Sequence, residues 1–334
     1  MTDVSLRARF LASGTWIGLD AVGMSFELER DGKHVTVALP SGPDTFSEHL
    51  VEDSPYPVLP SLASGGPVFA EPDRDTRTAA LVIFEVVVDF ECDFPVPKPD
   101  EIPPEVRALA DAGYAEGASI AIAVVGDFLR HLHAAAPAQS WRGLAAHDPE
   151  QYGIAQLEYR PSGQRILGYG PAQTQTMRSS RLRVDLDQML VIAANVADGR
   201  DPDLPSSLLA DAWHFTDSIL DLDRATLVAA IACEVRVKQT IRDLVPADRL
   251  AMTELVLKRR SNLPELLDEV IAAALDVTLR LDDPPLFKRV QVLAAHQNMI
   301  VHTGRPKPDA EHVRTPAQTG ADLFAWLEGL PDRV

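Results

Sequence analysis

Cysteine is nearly missing: Cys92 and Cys233 are the only two in 334 residues. Thiols so far apart, in different predicted elements, make neither a disulfide framework nor the CxxC knuckle of a metal site. A reducing compartment is expected. Positive charge is also short, with 31 Lys and Arg against 49 Asp and Glu and a formal net charge of −18. Such a surface repels nucleic acid and anionic membranes as a whole. The deficit is uneven: residues 1–200 hold 16 basic against 28 acidic side chains, and residues 201–334 hold 15 against 21. A polyanion partner therefore needs a local patch, expected in the second half. The opening Met1-Thr2-Asp3-Val4-Ser5-Leu6-Arg7 lacks the basic-then-apolar layout of a secretory signal. The longest apolar run, around Ile120–Val125, is far short of a membrane span. Gly163, Gly168 and Gly170 form no dinucleotide fingerprint, because no strand–GxGxxG–helix order surrounds them. The expectation is a cytoplasmic protein with no membrane partner, no metal and no cofactor.

What is present suits two folded domains. The length favours two over one, and 46% hydrophobic with 24% charged residues is ordinary for a globular chain. Leu6, Ala8 and Phe10 alternate with Arg7 and Arg9, a period-2 pattern that predicts a half-buried strand. Met24, Phe26 and Leu28 repeat it, and Asp31-Gly32 turns the chain into His34–Leu39, predicting a hairpin over 24–39. From Ser41 to Pro67 the chain is rich in Pro, Ser, Gly and Asp and is expected to form surface loops. Leu81–Phe94 is the clearest strand: Val82, Phe84, Val86, Val88 and Phe90 face one way, Glu85, Asp89, Glu91 and Asp93 the other. That acidic side is expected to be a solvated strand face. Beyond Pro95, Pro97, Pro99 and Pro103 one helix is predicted from Glu105 and a second over Ala118–His133, with His131 and His133 as surface or capping residues. Ile154–Tyr159 and Arg165–Tyr169 read as another hairpin. Arg178, Arg181 and Arg183 form a small basic run, expected to be solvated. Residues 1–184 thus read as a mostly antiparallel, β-rich domain.

From Asp185 the period becomes helical. Asp185 is placed to cap a helix closed by Gly199, and Ser206-Ser207 to cap the next. Leu227, Val228, Ile231, Val235, Val237 and Ile241 are expected to supply the apolar face of a longer helix that also carries Glu234. Helices over Leu263–Leu281, Leu286–His302 and Asp322–Leu330 follow. Short connections favour an up-and-down bundle over 185–334, so the fold class is α+β.

Leu208-Leu209-Ala210-Asp211-Ala212, the Ala-rich helix Ala229-Ala230-Ile231-Ala232-Cys233-Glu234-Val235, and Gln297-Asn298-Met299-Ile300-Val301-His302-Thr303-Gly304 together resemble a HEPN domain. HEPN domains are helical modules found in many prokaryotic defence, toxin and RNA-processing ribonucleases. The similarity covers roughly residues 200–330, and a β-rich domain ahead of such a module resembles the ApeA-like layout. The family motif is an Arg, four to six residues, then a His, usually with Asn after the Arg. This chain keeps Asn298 and His302 but carries Gln297 where the Arg would stand.

The resemblance implies a metal-independent endoribonuclease acting as a homodimer. His302 would be the general acid or base, Asn298 its orienter and Glu234 a supporting carboxylate, with Gln297 in place of the cation. A Gln donates a hydrogen bond but brings no charge, a loss of about 2–4 kcal/mol of transition-state stabilisation by analogy with one missing oxyanion donor. Arg289 and His296 also fit the motif spacing, although the residues around His302 match the family's catalytic context. Arg289 and Arg305 are candidate replacements for the missing cation. The run Lys258-Arg259-Arg260 is a candidate RNA phosphate contact. The alternative is an inactive HEPN module that dimerises and binds RNA or another ligand for the β-rich domain.

Overall fold

The computed structural model describes residues 2–21, 23–39, 78–92, 104–135, 153–160, 164–169, 183–216, 221–259, 262–303 and 316–331. The Pro- and Gly-rich stretch 41–67, the prolines 95–103, the loop 161–163, and Arg178, Arg181, Arg260 and Arg305 lie outside these residues. The fold is α+β. Contacts divide the chain into two compact units, residues 1–135 with 141–201, and residues 136–140 with 202–334.

Unit 1 is built on a sheet in which β2 (Ser25–Arg30), β3 (Lys33–Ala38), β4 (Thr78–Cys92), β1 (Thr2–Gly18), β5 (Gly153–Tyr159) and β6 (Gln164–Tyr169) are neighbours in that order. All these pairings are antiparallel; β7 (Arg183–Val184) adds a short parallel edge to β1. The β2–β3 hairpin has the predicted turn, with Asp31 at φ 53° and Gly32 at φ 72°. Two successive positive φ values match the right-handed twist of the strands, and only residues such as Asp and Gly take them readily. Register then fixes the faces. Val35 pairs with Val88 and Leu6 with Val88 on its other side, and all three are fully buried.

That apolar face is covered by α1 (Pro104–Ala135), through Ile120, Ala121, Val124, Val125, Phe128, Leu129 and Leu132. The two helices expected here are one continuous helix of 32 residues. Glycine does not interrupt it, because the Gly117 backbone presses on the sheet. A Cβ at 117 would stand 2.9 Å from Leu6 Cβ and 3.0 Å from Phe90 Cε1. Among the described residues α1 is the one helix long and apolar enough to cross a membrane by length and composition, with a mean hydropathy of 1.3. Here its apolar side is a core surface, each buried Leu, Val or Phe contributing about 1.5–3 kcal/mol.

α2 (Leu186–Ala197) begins with a reciprocal capping box between Asp185 and Gln188 and ends at Gly199, φ 62°. It buries Met189, Ile192, Ala193 and Val196 and packs with α1 and β2. This helix accordingly belongs to unit 1, and the division falls at Asp201/Pro202 rather than at the expected 184/185. His131 is buried, with Nε2 donating to the Arg200 carbonyl at 2.8 Å. It is a capping residue of the chain leaving α2, not a surface one.

Unit 2 is helical: α3 (Leu204–His214), α4 (Leu222–Leu244), α5 (Leu250–Arg259), α6, α7 (Leu279–Asp282), α8 (Pro284–Thr303) and α9 (Pro316–Glu328). α6 joins Leu263–Glu265, a π-helical turn Leu266–Val270 and Ile271–Leu275. Asp203, not Ser206 or Ser207, caps α3: its carboxylate accepts from the Ser206 amide, and Pro205 suits a first turn whose amides have no helical partner. α4 buries Val237 and Ile241 of the expected face together with a row of small residues. Its buried residues are Ala225, Thr226, Ala229, Ala230, Ala232, Cys233, Val237 and Ile241, while Ile231 is 43% exposed. Small side chains let α3 and α9 close in on α4. A Cβ at Gly320 of α9 would lie 2.6 Å from Leu209 Cδ1 and 3.5 Å from Cys233 Sγ. Val228 packs against the same core, while Leu227 and Val235 are half-buried.

Candidate functional site

The residues from 294 to 303 form the last turns of α8. The core stripe of this helix, Leu286, Phe287, Val290, Leu293 and Ala294, stops at Ala294. No residue from Ala295 to Thr303 is buried, and Val301 is 64% exposed. Asn298 and His302 are both exposed and lie four residues apart, so they share one face of the helix one turn from each other. Thr303 closes the turn by donating to the Met299 carbonyl at 2.7 Å.

The other expected members of the site stand elsewhere. Gln297 is half-buried, and five residues of helix turn it roughly 140° away from His302. Arg289 lies thirteen residues before His302, roughly 20 Å along the axis and on the other side of the helix. Its Nη1 donates to Asp322 Oδ2 of α9 at 2.6 Å, and Gln318 donates to the second oxygen of the same carboxylate at 2.8 Å. Arg289 is thus a pin between α8 and α9. His296 is half-exposed on the Arg289 side of α8.

Glu234 accepts from Lys238 Nζ at 2.6 Å, one turn along α4. Its level in the bundle follows from neighbouring contacts. Cys233 meets Gly320, and Arg236 stacks over Phe324 and pairs with Glu328. Residue 234 therefore stands beside the Gly320–Asp322 turn of α9, the level of Arg289 and not of His302. Lys258 and Arg259 are exposed at the C-terminal end of α5, where cations complement the helix dipole. Of the proposed constellation, the structure brings together Asn298 and His302.

Cys233 lies fully buried in the α3–α4–α9 contact, and burial pushes its thiol up to about 12, against a smaller lowering by a backbone hydrogen bond. Such a thiol is neither a nucleophile nor a metal ligand at neutral pH. On the acidic face of β4, Glu91 is exposed and Asp89 is engaged internally: it accepts from Ser5 Oγ at 2.5 Å and faces His34 at 3.5 Å and Arg160 at 3.9 Å. Among the described residues no group of three His, Cys, Asp or Glu side chains could hold a metal ion. A groove of about 430 Å³ runs between α5 and α6, lined by Met252, Val256, Val270 and Ala274 with Asp248, Arg249 and Glu269 at its rim.

Charge gives a feature that motif reading passes over. The twenty residues of α8 contain no Asp and no Glu, in a chain with 49 of them. Its outer side carries Lys288, Val292, Ala295, Met299 and His302, none of them buried. The signal was in the sequence, as the absence of one residue class over a whole helix. No protein-family model, curated protein or solved structure matches the chain.

Proposed function

We propose that the protein is a HEPN-like RNA-binding module, dimeric and cytoplasmic, serving a prokaryotic defence or stress response, in which α8 receives the RNA and the β-rich unit is regulated by it. The observation that carries this reading is the acid-free helix α8, whose exposed face presents Lys288, Asn298 and His302. On a molecule of net charge −18, a helix without carboxylates is a surface that does not repel a phosphate backbone. Binding without cleavage is favoured because Gln297 is turned away from His302 and Arg289 is held by Asp322. Neither provides a cation at His302.

The shared face of Asn298 and His302 supports a second reading, metal-independent cleavage. There His302 would take the proton of a ribose 2′-hydroxyl as its oxygen attacks the adjacent phosphorus. The bond to the 5′-oxygen breaks, that oxygen takes up a proton, and a 2′,3′-cyclic phosphate remains. One assay separates the two. Single-stranded RNA is incubated with the protein in EDTA, and binding is followed by fluorescence anisotropy and cleavage by gel. The binding reading predicts a saturable anisotropy change with intact RNA. Cleavage that His302→Ala abolishes would establish the second reading, and the absence of both binding and cleavage would sink both.

A further inference from the structure

We propose that the groove between α5 and α6 is a binding site for a small amphipathic cation, an apolar body carrying one ammonium group. The groove follows from the side chains that the two helices place along it. Ala273 and Ala274 of α6 have nothing beyond Cβ, and α5 presents Met252 and Val256 on the other wall. The space between is about 430 Å³, within the range of about 300–1,000 Å³ usual for small-molecule sites. α6 reaches the groove through its π-helical turn, Leu266–Val270, whose last two residues belong to the wall. Such turns are frequent at functional sites. The walls are apolar and uncovered: Met252 is 68% exposed, and Leu255, three residues further along α5, is 53% exposed. The flexible, polarisable thioether of Met252 adapts to apolar ligands of different shape. Thr253 supplies the one hydroxyl among the lining side chains, and it already donates to the Arg249 carbonyl at 3.0 Å. An apolar body suits this floor.

The rim selects the head group. Of the carboxylates on α5 and α6, Glu254 is held by Arg242, Glu265 by Asn262, and Asp268 by Arg280 and Thr278. Glu269, at the groove, has no ion-pair or hydrogen-bond partner for its side chain among the described residues, and neither has Asp248, just before α5. Arg249 is the one cation among the lining residues and is likewise unpaired among the described residues. Two carboxylates against one guanidinium leave the rim with an excess negative charge, on a molecule of net charge −18. Low-dielectric walls focus that field into the groove. An ammonium group seated there gives Glu269 and Asp248 the charge-assisted partner that the fold does not supply. An anionic head would meet two carboxylates for one guanidinium. None of the lining residues belongs to α8, and the site does not rest on the RNA reading.

Three probes that share one tail and differ in the head test the site: octylammonium, octanol and octanoate, titrated into the full chain by calorimetry below micelle-forming concentrations. Octylammonium is expected to bind saturably, octanol roughly fivefold more weakly, and octanoate more weakly still, since exposed charge pairs contribute modestly. Ala273→Leu changes an exposed position, so it should fill the groove and abolish octylammonium binding with unchanged circular dichroism. Glu269→Gln combined with Asp248→Asn should weaken octylammonium roughly fivefold and leave octanol unchanged. Absence of octylammonium binding, or binding that Ala273→Leu leaves intact, overturns the site. Octanoate binding as tightly as octylammonium, or octylammonium affinity unchanged in the double variant, overturns its preference for a cation.

Discussion

Glu254 and Arg242 illustrate how far a single side chain carries in this molecule. Arg242 Nε donates to Glu254 Oε1 at 2.5 Å. That hydrogen bond, with smaller help from the charges of Arg242 and Lys258, holds the Glu254 carboxyl below its usual range. A carboxyl with a lower pKa in the folded than in the unfolded chain stabilises the fold above the unfolded value, near 4.3. The contribution disappears as pH falls through the lower, folded value. Glu254→Gln should therefore be slightly less stable than the parent at pH 7, and the difference should close as pH falls below the folded value, as urea midpoints will show. The pair is open to water, so raising the salt concentration should shrink the gap at pH 7. That Asn298 and His302 share one helix face was legible from their spacing of four. That Gln297 leaves that face was not, because a motif is written along the chain whereas a helix sends neighbouring positions to different sides.

Helices succeed or fail here by what fits between them. On α1, Gly117 faces Leu6 and Phe90 with no space for a methyl group, whereas a Cβ at Gly126 would meet nothing within 4 Å. The same substitution should consequently have opposite signs nine residues apart. Gly126→Ala should stabilise by about 0.5–1 kcal/mol through helix propensity, and Gly117→Ala should destabilise by about 1–2 kcal/mol as overpacking exceeds that gain. Thermal melts of the two variants test this. Periodicity revealed the β2–β3 hairpin, the β5–β6 pair and the course of β4, because alternation maps directly onto the pleat. For α4 it found Val237, Ile241 and Val228 but also favoured Ile231, which is exposed, and it passed over the alanines that admit α3 and α9. It also divided α1 in two.

At the scale of the whole molecule, the class of fold was legible because the hydrophobic period changes from two to 3.6 near Asp185. The place of the division was less so: α2 has helical periodicity, yet its partners are the hairpin and α1. Charge at this scale makes a quantitative claim about RNA. With Lys288 as the principal cation on the acid-free face, one dimer offers about two phosphate contacts, so log K should fall with log salt with a slope near −1.5, from about −0.7 per contact on single strands. Anisotropy titrations between roughly 50 and 200 mM salt measure it. A slope steeper than about −4 would mean that cations elsewhere dominate.

The hydrogen bond from His131 to the Arg200 carbonyl has a consequence for proteases. Arg200 is exposed and precedes Asp201, so its peptide bond has the side chain that trypsin requires. Trypsin must also draw that carbonyl into an extended strand in its own cleft, and in the native protein the oxygen is already bound by a buried imidazole. The chain should resist cutting at Arg200, and His131→Phe should open that site, giving fragments that separate at residue 200 in limited tryptic digests read by intact mass.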